Sequence, residues 1–211
     1  MRVTEDRKMR LGVLISGNGT NLQAIIDACG AGEIDADVTV VISDKEAAYG
    51  LERARKAGID AVWLDHSAYD QPSLFTAAIL QTLASRGVDV VVMAGYMRLL
   101  GRAVLEAYTD RVVNLHPALL PSFPGADAIH EAFAFGVKVT GVTVHFANEV
   151  FDSGPIIAQE PVRIADDDTV ETLEAKIHEV EHRLYPQVLA AIAAGRVQVG
   201  DDGVVHISPK A

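Results

Sequence analysis

The chain has 211 residues, 49% hydrophobic and 22% charged, which suits one large α/β domain with a substantial buried core. A formal net charge of −11 and a pI near 5.0 exclude a general nucleic-acid surface, which needs clustered Lys and Arg, yet permit an anionic ligand held by backbone N–H groups at a helix start. Cys29 is the one cysteine, the N-terminal residues are polar and of mixed charge, and no apolar run is long enough to span a bilayer. A cytoplasmic protein with no membrane or nucleic-acid partner is therefore expected.

Apolar stretches alternate with helical spacing from the start. Residues 11–15 form a short apolar run, and residues 21–28 carry Leu22, Ile25 and Ile26 at helical intervals. Strands are predicted at 38–42, 61–64, 88–93 and 112–115, with helices at 51–57 and 73–85 between them. Trp63 is expected in the core. The run 88–93 is apolar throughout, as a central strand covered on both faces would be. This β-α-β-α order predicts a doubly wound, mostly parallel sheet. Later, residues 139–146 and 156–162 read as strands. A long helix follows over 169–194, with an apolar stripe of Leu173, Ile177, Val180, Leu184, Val188 and Ala191, a start at Thr169 and Thr172, and a stop at Gly195. The end suggests a small hairpin around Asp201-Asp202-Gly203. One domain covering residues 1–211 is expected, with residues 1–9 a flexible extension.

Ser16-Gly17-Asn18-Gly19-Thr20-Asn21-Leu22 lies between the first strand and the first helix. Its glycines permit a tight turn, and Thr20 or Asn21 is a candidate helix cap. Free N–H groups and the helix dipole would make the hollow a seat for phosphate. A dinucleotide fingerprint is a weaker fit: it requires a third glycine where Leu22 stands, and its acidic residue would be Asp44 at a slightly long spacing.

Asn114-Leu115-His116-Pro117 follows a strand and leads into a loop stiffened by Pro117, Pro121 and Pro124. Asn114 offers an amide to a developing oxyanion. His116 is a proton carrier near neutral pH. Asp152, in the turn Phe151-Asp152-Ser153-Gly154-Pro155, could orient and charge the imidazole. Spacing alone does not bring the two together, and either residue could simply cap its own strand or turn.

These segments, with Ala94-Gly95-Tyr96-Met97-Arg98-Leu99-Leu100, Thr140-Gly141 and Glu181-His182-Arg183-Leu184-Tyr185-Pro186, resemble in order, over nearly the whole chain, the folate-dependent phosphoribosylglycinamide formyltransferases. The resemblance implies a Rossmann-like formyltransferase fold and transfer of a formyl group from 10-formyltetrahydrofolate, as co-substrate, to an amine. It implies no metal, small-molecule partners only, and a monomer or homodimer. It assigns Asn114, His116 and Asp152 to catalysis. Gly19, Thr20, Asn21 and Glu181 are assigned to the acceptor. Met97, Arg98, Leu99 and Leu100, with Asn114, are assigned to the folate. A tRNA-directed relative would carry a further C-terminal domain and a deformylating one a further N-terminal domain, and neither is expected here. Two positions depart from the family: Asp127 stands where many members have His, and Pro72 where many have a folate-holding Arg.

His178-Glu179-Val180-Glu181-His182 matches the H-E-x-x-H spacing of zinc peptidases. It lacks a third ligand at the next expected positions, Tyr185 and Val188, and is expected to be a polar helix face instead. His145, on a predicted strand, is a candidate to line the site near Asp152. An oxidoreductase using the glycine loop and a hydrolase passing formyl to water are the rival function classes.

Overall fold

A computed structural model of the chain describes residues 7–210. Its strands and helices run β1 (Met9–Ile15), α1 (Thr20–Gly30), β2 (Ala36–Ser43), α2 (Tyr49–Lys56), β3 (Asp60–Trp63), α3 (Pro72–Ser85), β4 (Val90–Met93), α4 (Arg102–Ala107), β5 (Val112–His116), α5 (Ala128–Phe135), β6 (Val139–Phe146), β7 (Ile156–Arg163), α6 (Val170–Ala193), β8 (Val197–Val199) and β9 (Val205–Ile207). The first seven strands form one sheet in the order β3-β2-β1-β4-β5-β6-β7. β3 through β5 are parallel, and β6 and β7 are added antiparallel. This is the doubly wound α/β fold that the alternating pattern predicts.

Both faces of the central strands are covered, which is why β1 and β4 are almost uniformly apolar. Leu11, Val13, Ile15 and Val92 pack with Leu22 and Ile25 of α1 and with Leu173, Ile177 and Leu184 of α6. Leu14, Val40, Val91 and Met93 face the other way, onto Phe75, Ile79 and Leu83 of α3 and Val104 of α4. The run 88–93 is indeed central: β4 is the fourth of seven strands. The strand order reverses between β1 and β4, and that is where open α/β sheets leave a crevice at the carboxyl ends of their strands.

The long helix starts as its sequence indicates. Thr169 accepts from Thr172 N at 3.3 Å and donates its own N–H to Thr172 Oγ1 at 2.9 Å, a reciprocal cap that satisfies two otherwise unpaired N–H groups. Tyr185 anchors the helix from within the core. Its hydroxyl lies 3.2 Å from Met93 O on β4 and 2.9 Å from Val113 O on β5.

Several expectations need correction. Trp63 is 41% exposed, because β3 is an edge strand whose outer side has no cover. Helices α4 and α5 fall in segments where no element was expected; they have only six and eight residues, too short for a clear apolar period. The flexible extension expected over residues 1–9 does not hold for Arg7 and Met9: Met9 opens β1, and Arg7 holds both carboxylate oxygens of Asp89 at 2.8 Å. Residues 1–6 lie outside the described residues. Among the described residues no helix is long and apolar enough to cross a membrane.

Candidate active site

The glycine loop leaves β1 and turns into α1 at Gly19, whose φ of +76° is left-handed. A Cβ there would sit 2.8 Å from Gly50 Cα, so glycine is required both for conformation and for the close approach of α2. Neither Thr20 nor Asn21 caps the helix: Gly19 is the N-cap, and no side chain covers the first turn. The first N–H groups of α1 therefore remain available to a ligand. Arg53 of α2 holds the loop from outside, donating to Asn18 O at 2.9 Å and to its side-chain oxygen at 2.8 Å. Asn21 reaches instead across to α6, where its amide donates to Glu181 Oε2 at 2.9 Å. Burial pushes the Glu181 carboxyl up, against the opposing pull of Asn21 and His178.

A cavity of about 450 Å³ opens at this point. Its walls include Gly19, Thr20, Asn21, Gly95, Met97, Leu115, Asp127, His178 and Glu181. Gly19, Thr20, Asn21 and Glu181 thus line one hollow although Glu181 is 160 positions from Asn21.

The second centre is built by antiparallel register. Asn114 on β5 pairs with His145 on β6, and His116 pairs with Thr143. Asn114 and His116 lie two residues apart and so share a face of the sheet. Asp152, in the turn between β6 and β7, closes the cluster with a φ of +50°. Its Oδ2 accepts from Gly125 N at 2.8 Å and lies 3.5 Å from His116 Nδ1. Its Oδ1 lies 3.5 Å from the Asn114 amide and 3.7 Å from His145 Nε2. The turn depends on Gly154: a Cβ there would collide with the Phe146 carbonyl. The predicted meeting of Asn114, His116 and Asp152 therefore occurs, with His145 and the Gly125 N–H as further members.

Hydrogen bonding sets the proton positions. His145 Nδ1 donates to Phe146 O at 2.9 Å, which turns its Nε2 toward the Asn114 amide at 3.1 Å and toward Asp152 Oδ1. His116 Nε2 donates to Phe123 O at 2.8 Å, so its Nδ1 points at Asp152. Burial lowers the His116 pKa below the ordinary imidazole value, while Asp152 and the Phe123 carbonyl partly offset it. Burial pushes the Asp152 carboxyl up. His145, the Gly125 N–H and His116 outweigh that and hold it below the usual carboxylate range.

Next to this cluster lies a narrow cleft of about 30 Å³, lined by Met93, Arg98, Leu99, Leu100, Asn114, His145, Phe151 and Asp152. Met97, Leu99, Val150 and Phe151 stand exposed around it. Of the residues expected to hold the folate, Arg98, Leu99, Leu100 and Asn114 line the cleft, and Met97 lines the larger cavity on its other side. The two hollows share two walls, the carboxyl end of β5 and the segment 97–100. His116 lines neither hollow; it is 3% exposed, directly behind Asp152. Asp127 lines the larger cavity, where it pairs with His130 at 2.9 Å. Pro72 opens α3 and lines neither.

The peptidase-like histidines stack on each other, 6.2 Å between ring centroids. Among the described residues no three His, Cys, Asp or Glu side chains are grouped to hold a metal. The face is only partly the polar one expected, since Glu181 is buried against α1. Asp44, the acid of the dinucleotide reading, has its carboxylate taken up by Ser16 and Arg98.

A doubly wound sheet carries an Asn, His and Asp cluster beside an open helix start, and the relatives of the chain make it a transferase. The formyl transferase family model matches residues 9–189, and the chain belongs to that family. A phosphoribosylglycinamide formyltransferase of Bacillus subtilis (strain 168) is 42% identical over 180 residues, 85% of this chain and 92% of that protein. The trifunctional purine biosynthetic protein adenosine-3 of Homo sapiens is 41% identical over 95% of this chain, which spans 20% of that longer protein. The crystal structure of glycinamide ribonucleotide transformylase 1 from Symbiobacterium toebii matches with a TM-score of 0.94 and 47% identity, covering 99% of both chains.

Proposed function

We propose that the protein transfers the formyl group of 10-formyltetrahydrofolate to the amine of 5-phosphoribosylglycinamide, a step of purine biosynthesis, with Asn114, His116 and Asp152 as its catalytic set. The observation that carries this reading is the shared wall: the cavity at the glycine loop and a second cleft border the same strand end, where the Asn114 cluster lies. The acceptor's phosphate takes the open N–H groups of Gly19, Thr20 and Asn21. Its ribose lies toward Glu181, and its amine reaches the end of β5. The pterin lies along Met97, Arg98, Leu99 and Leu100, entering as the loop at 148–152 swings away from that fixed wall, since the resting cleft holds no more than a water or so.

The amine nitrogen attacks the formyl carbon, and the carbonyl oxygen becomes an oxyanion. The Asn114 amide stabilises it, joined by His116 once the ring takes up a proton, a form that Asp152 favours against the effect of burial. The attacking nitrogen loses a proton, the folate nitrogen gains one, and the bond between that nitrogen and the formyl carbon breaks. His116 now donates to Phe123 O, so the 122–126 loop must shift before the ring reaches the oxyanion. Holding two substrates side by side supplies much of the rate without a covalent intermediate.

The test is to mix the protein with 10-formyltetrahydrofolate and follow loss of the formyl group, with and without phosphoribosylglycinamide. Turnover that requires the acceptor supports the transferase. Turnover without it means a hydrolase and overturns the proposal, as does no turnover at all.

A further inference from the structure

The segment 97–100 is a loop, so something must hold it in place as the common wall of the two hollows. The holding group is a residue outside both of them. Asp44 follows β2, and its side chain is 1% exposed. One carboxylate oxygen accepts from Ser16 Oγ at 2.7 Å, and the other accepts from Arg98 Nε at 2.8 Å. Ser16 Oγ in turn accepts from Met97 N at 3.0 Å, and Ser16 N donates to Gly95 O at 3.1 Å. Ser16 is the first residue of the glycine loop, while Met97 and Arg98 begin the folate-facing segment. A single buried carboxylate thus joins the end of β1 to the loop after β4, across the point where the strand order reverses.

The charge matters as well as the shape. Charge-assisted hydrogen bonds are about twice as strong as neutral ones. The Arg98 side chain is only partly covered, and without Asp44 nothing among its described contacts would fix the guanidinium beside the cleft. The Ser16 hydroxyl gives its one hydrogen to Asp44 and so keeps a lone pair for Met97 N. Removing the carboxylate frees that hydrogen to turn and loosens the backbone at Met97.

We propose that Asp44 is a positioning residue, which sets Met97 and Arg98 in register with the glycine loop so that the folate side of the site is preformed. The proposal rests on the function given above. Its effect falls on folate affinity. The glycine loop keeps its own supports, Gly50 N to Gly17 O at 3.2 Å and Arg53 to Asn18, so the acceptor side is held without Asp44.

The test measures tetrahydrofolate binding by calorimetry, and KM for each substrate, in the full chain and in Asp44→Ala and Asp44→Asn. Asp44→Ala is expected to weaken tetrahydrofolate about tenfold, the scale of one charge-assisted hydrogen bond. Acceptor KM and kcat should stay within about threefold. Asp44→Asn keeps an oxygen for Ser16 but loses the ion pair, and should fall between wild type and Asp44→Ala. If Asp44→Ala does not fold, Asp44→Asn is combined with Arg98→Gln, and the double variant should bind no more weakly than the worse single one. Unchanged affinity in the Asp44 variants, additive losses in the double variant, or a loss of kcat with affinity unchanged would overturn the proposal alone. A wild type that does not bind tetrahydrofolate would take the proposed function down with it.

Discussion

The two halves of the sheet contribute to the site by different means. The parallel half, β1 to β4, offers mainly backbone: the open N–H groups at Gly19 and the loop at 97–100 that follows β4. The antiparallel half, β5 to β7, offers side chains: Asn114, His116 and His145 across one ladder, with Asp152 from the turn beyond it. A parallel strand delivers its chain to the carboxyl edge once, then returns through a helix. An antiparallel pair brings two strands to the same spot, and cross-strand neighbours stand about 5 Å apart. The binding loops therefore need anchors from elsewhere, as Asp44 gives the segment 97–100, whereas the side chains of the cluster are set by the ladder itself.

The largest expected effects test that division. His116→Ala should cut kcat about 10³-fold, and Asn114→Ala about 10²-fold, with acceptor KM little changed. Asp152→Asn keeps the shape but removes the charge that favours protonated His116, and should cost about 10²-fold. If the cluster acts as one unit, the double variant His116→Ala/Asp152→Asn will lose no more than the worse single. Steady-state kinetics on both substrates settles it, and near-full activity in any single variant removes that residue from the proposed chemistry.

Glu181→Gln comes next, and it should separate stability from binding. Burial raises the folded-state pKa of this carboxyl. Its destabilising effect is therefore absent below the unfolded value near 4.5 and grows as pH rises through the folded value. At pH 7 the amide variant should melt a few degrees higher, a shift on the order of 1 kcal/mol. Acceptor KM should rise about tenfold, the scale of one lost hydrogen bond to a charged group. Calorimetric melting and acceptor kinetics read the two effects separately, and a variant that binds as well as wild type would detach Glu181 from the acceptor.

The pH dependence of stability has the opposite sign for two imidazoles, the buried His116 and the half-buried His182. His116 and His182 are both lowered, chiefly by burial, so their neutral forms are favoured in the fold. Their contribution is complete above the ordinary value of about 6.5 and is lost as pH falls through the folded values. Asp152, lowered as well, adds a loss in the same direction below about pH 4. The melting temperature should decline from about pH 6.5 toward 5, and His116→Gln should flatten that decline. An equal slope in the variant would show that His116 takes up its proton as easily in the fold as in the open chain.

The same contrast explains what could be read from the chain. The parallel sheet was legible because each covered strand is a plain apolar run and each helix a simple period. The long helix even declared its cap at Thr169 and Thr172. Motifs adjacent in sequence, such as Gly19 to Asn21 or Asn114 to Pro117, could be placed at a helix start or a strand end from their own residues. Which distant residues join them could not: the register that sets His145 beside Asn114 and the turn that returns Asp152 depend on tertiary pairing. The cap at Gly19 was misassigned because Thr20 and Asn21 are good cap types. A left-handed glycine is selected there by the nearness of Gly50, which is invisible locally. Asp44 came into view only as the acid of a disfavoured dinucleotide fingerprint, because its partners lie 28 and 54 positions away.

The smallest effect concerns the seam between the halves. Tyr185 inserts its hydroxyl between Met93 O at the end of β4 and Val113 O in β5, next to Asn114. Tyr185→Phe leaves the ring and its packing but strips both carbonyls of this partner. The cost should be about 1 kcal/mol, or some 2–4 °C in melting temperature. Because β5 is also held by its ladders to β4 and β6, Asn114 should keep its position and kcat should stay within about twofold of wild type, a margin of under 1 kcal/mol. A turnover loss larger than the loss of folded protein would mean that the helix, through Tyr185, sets the height of Asn114 in the site. The antiparallel half would then depend on α6 for its chemistry as well as its cover.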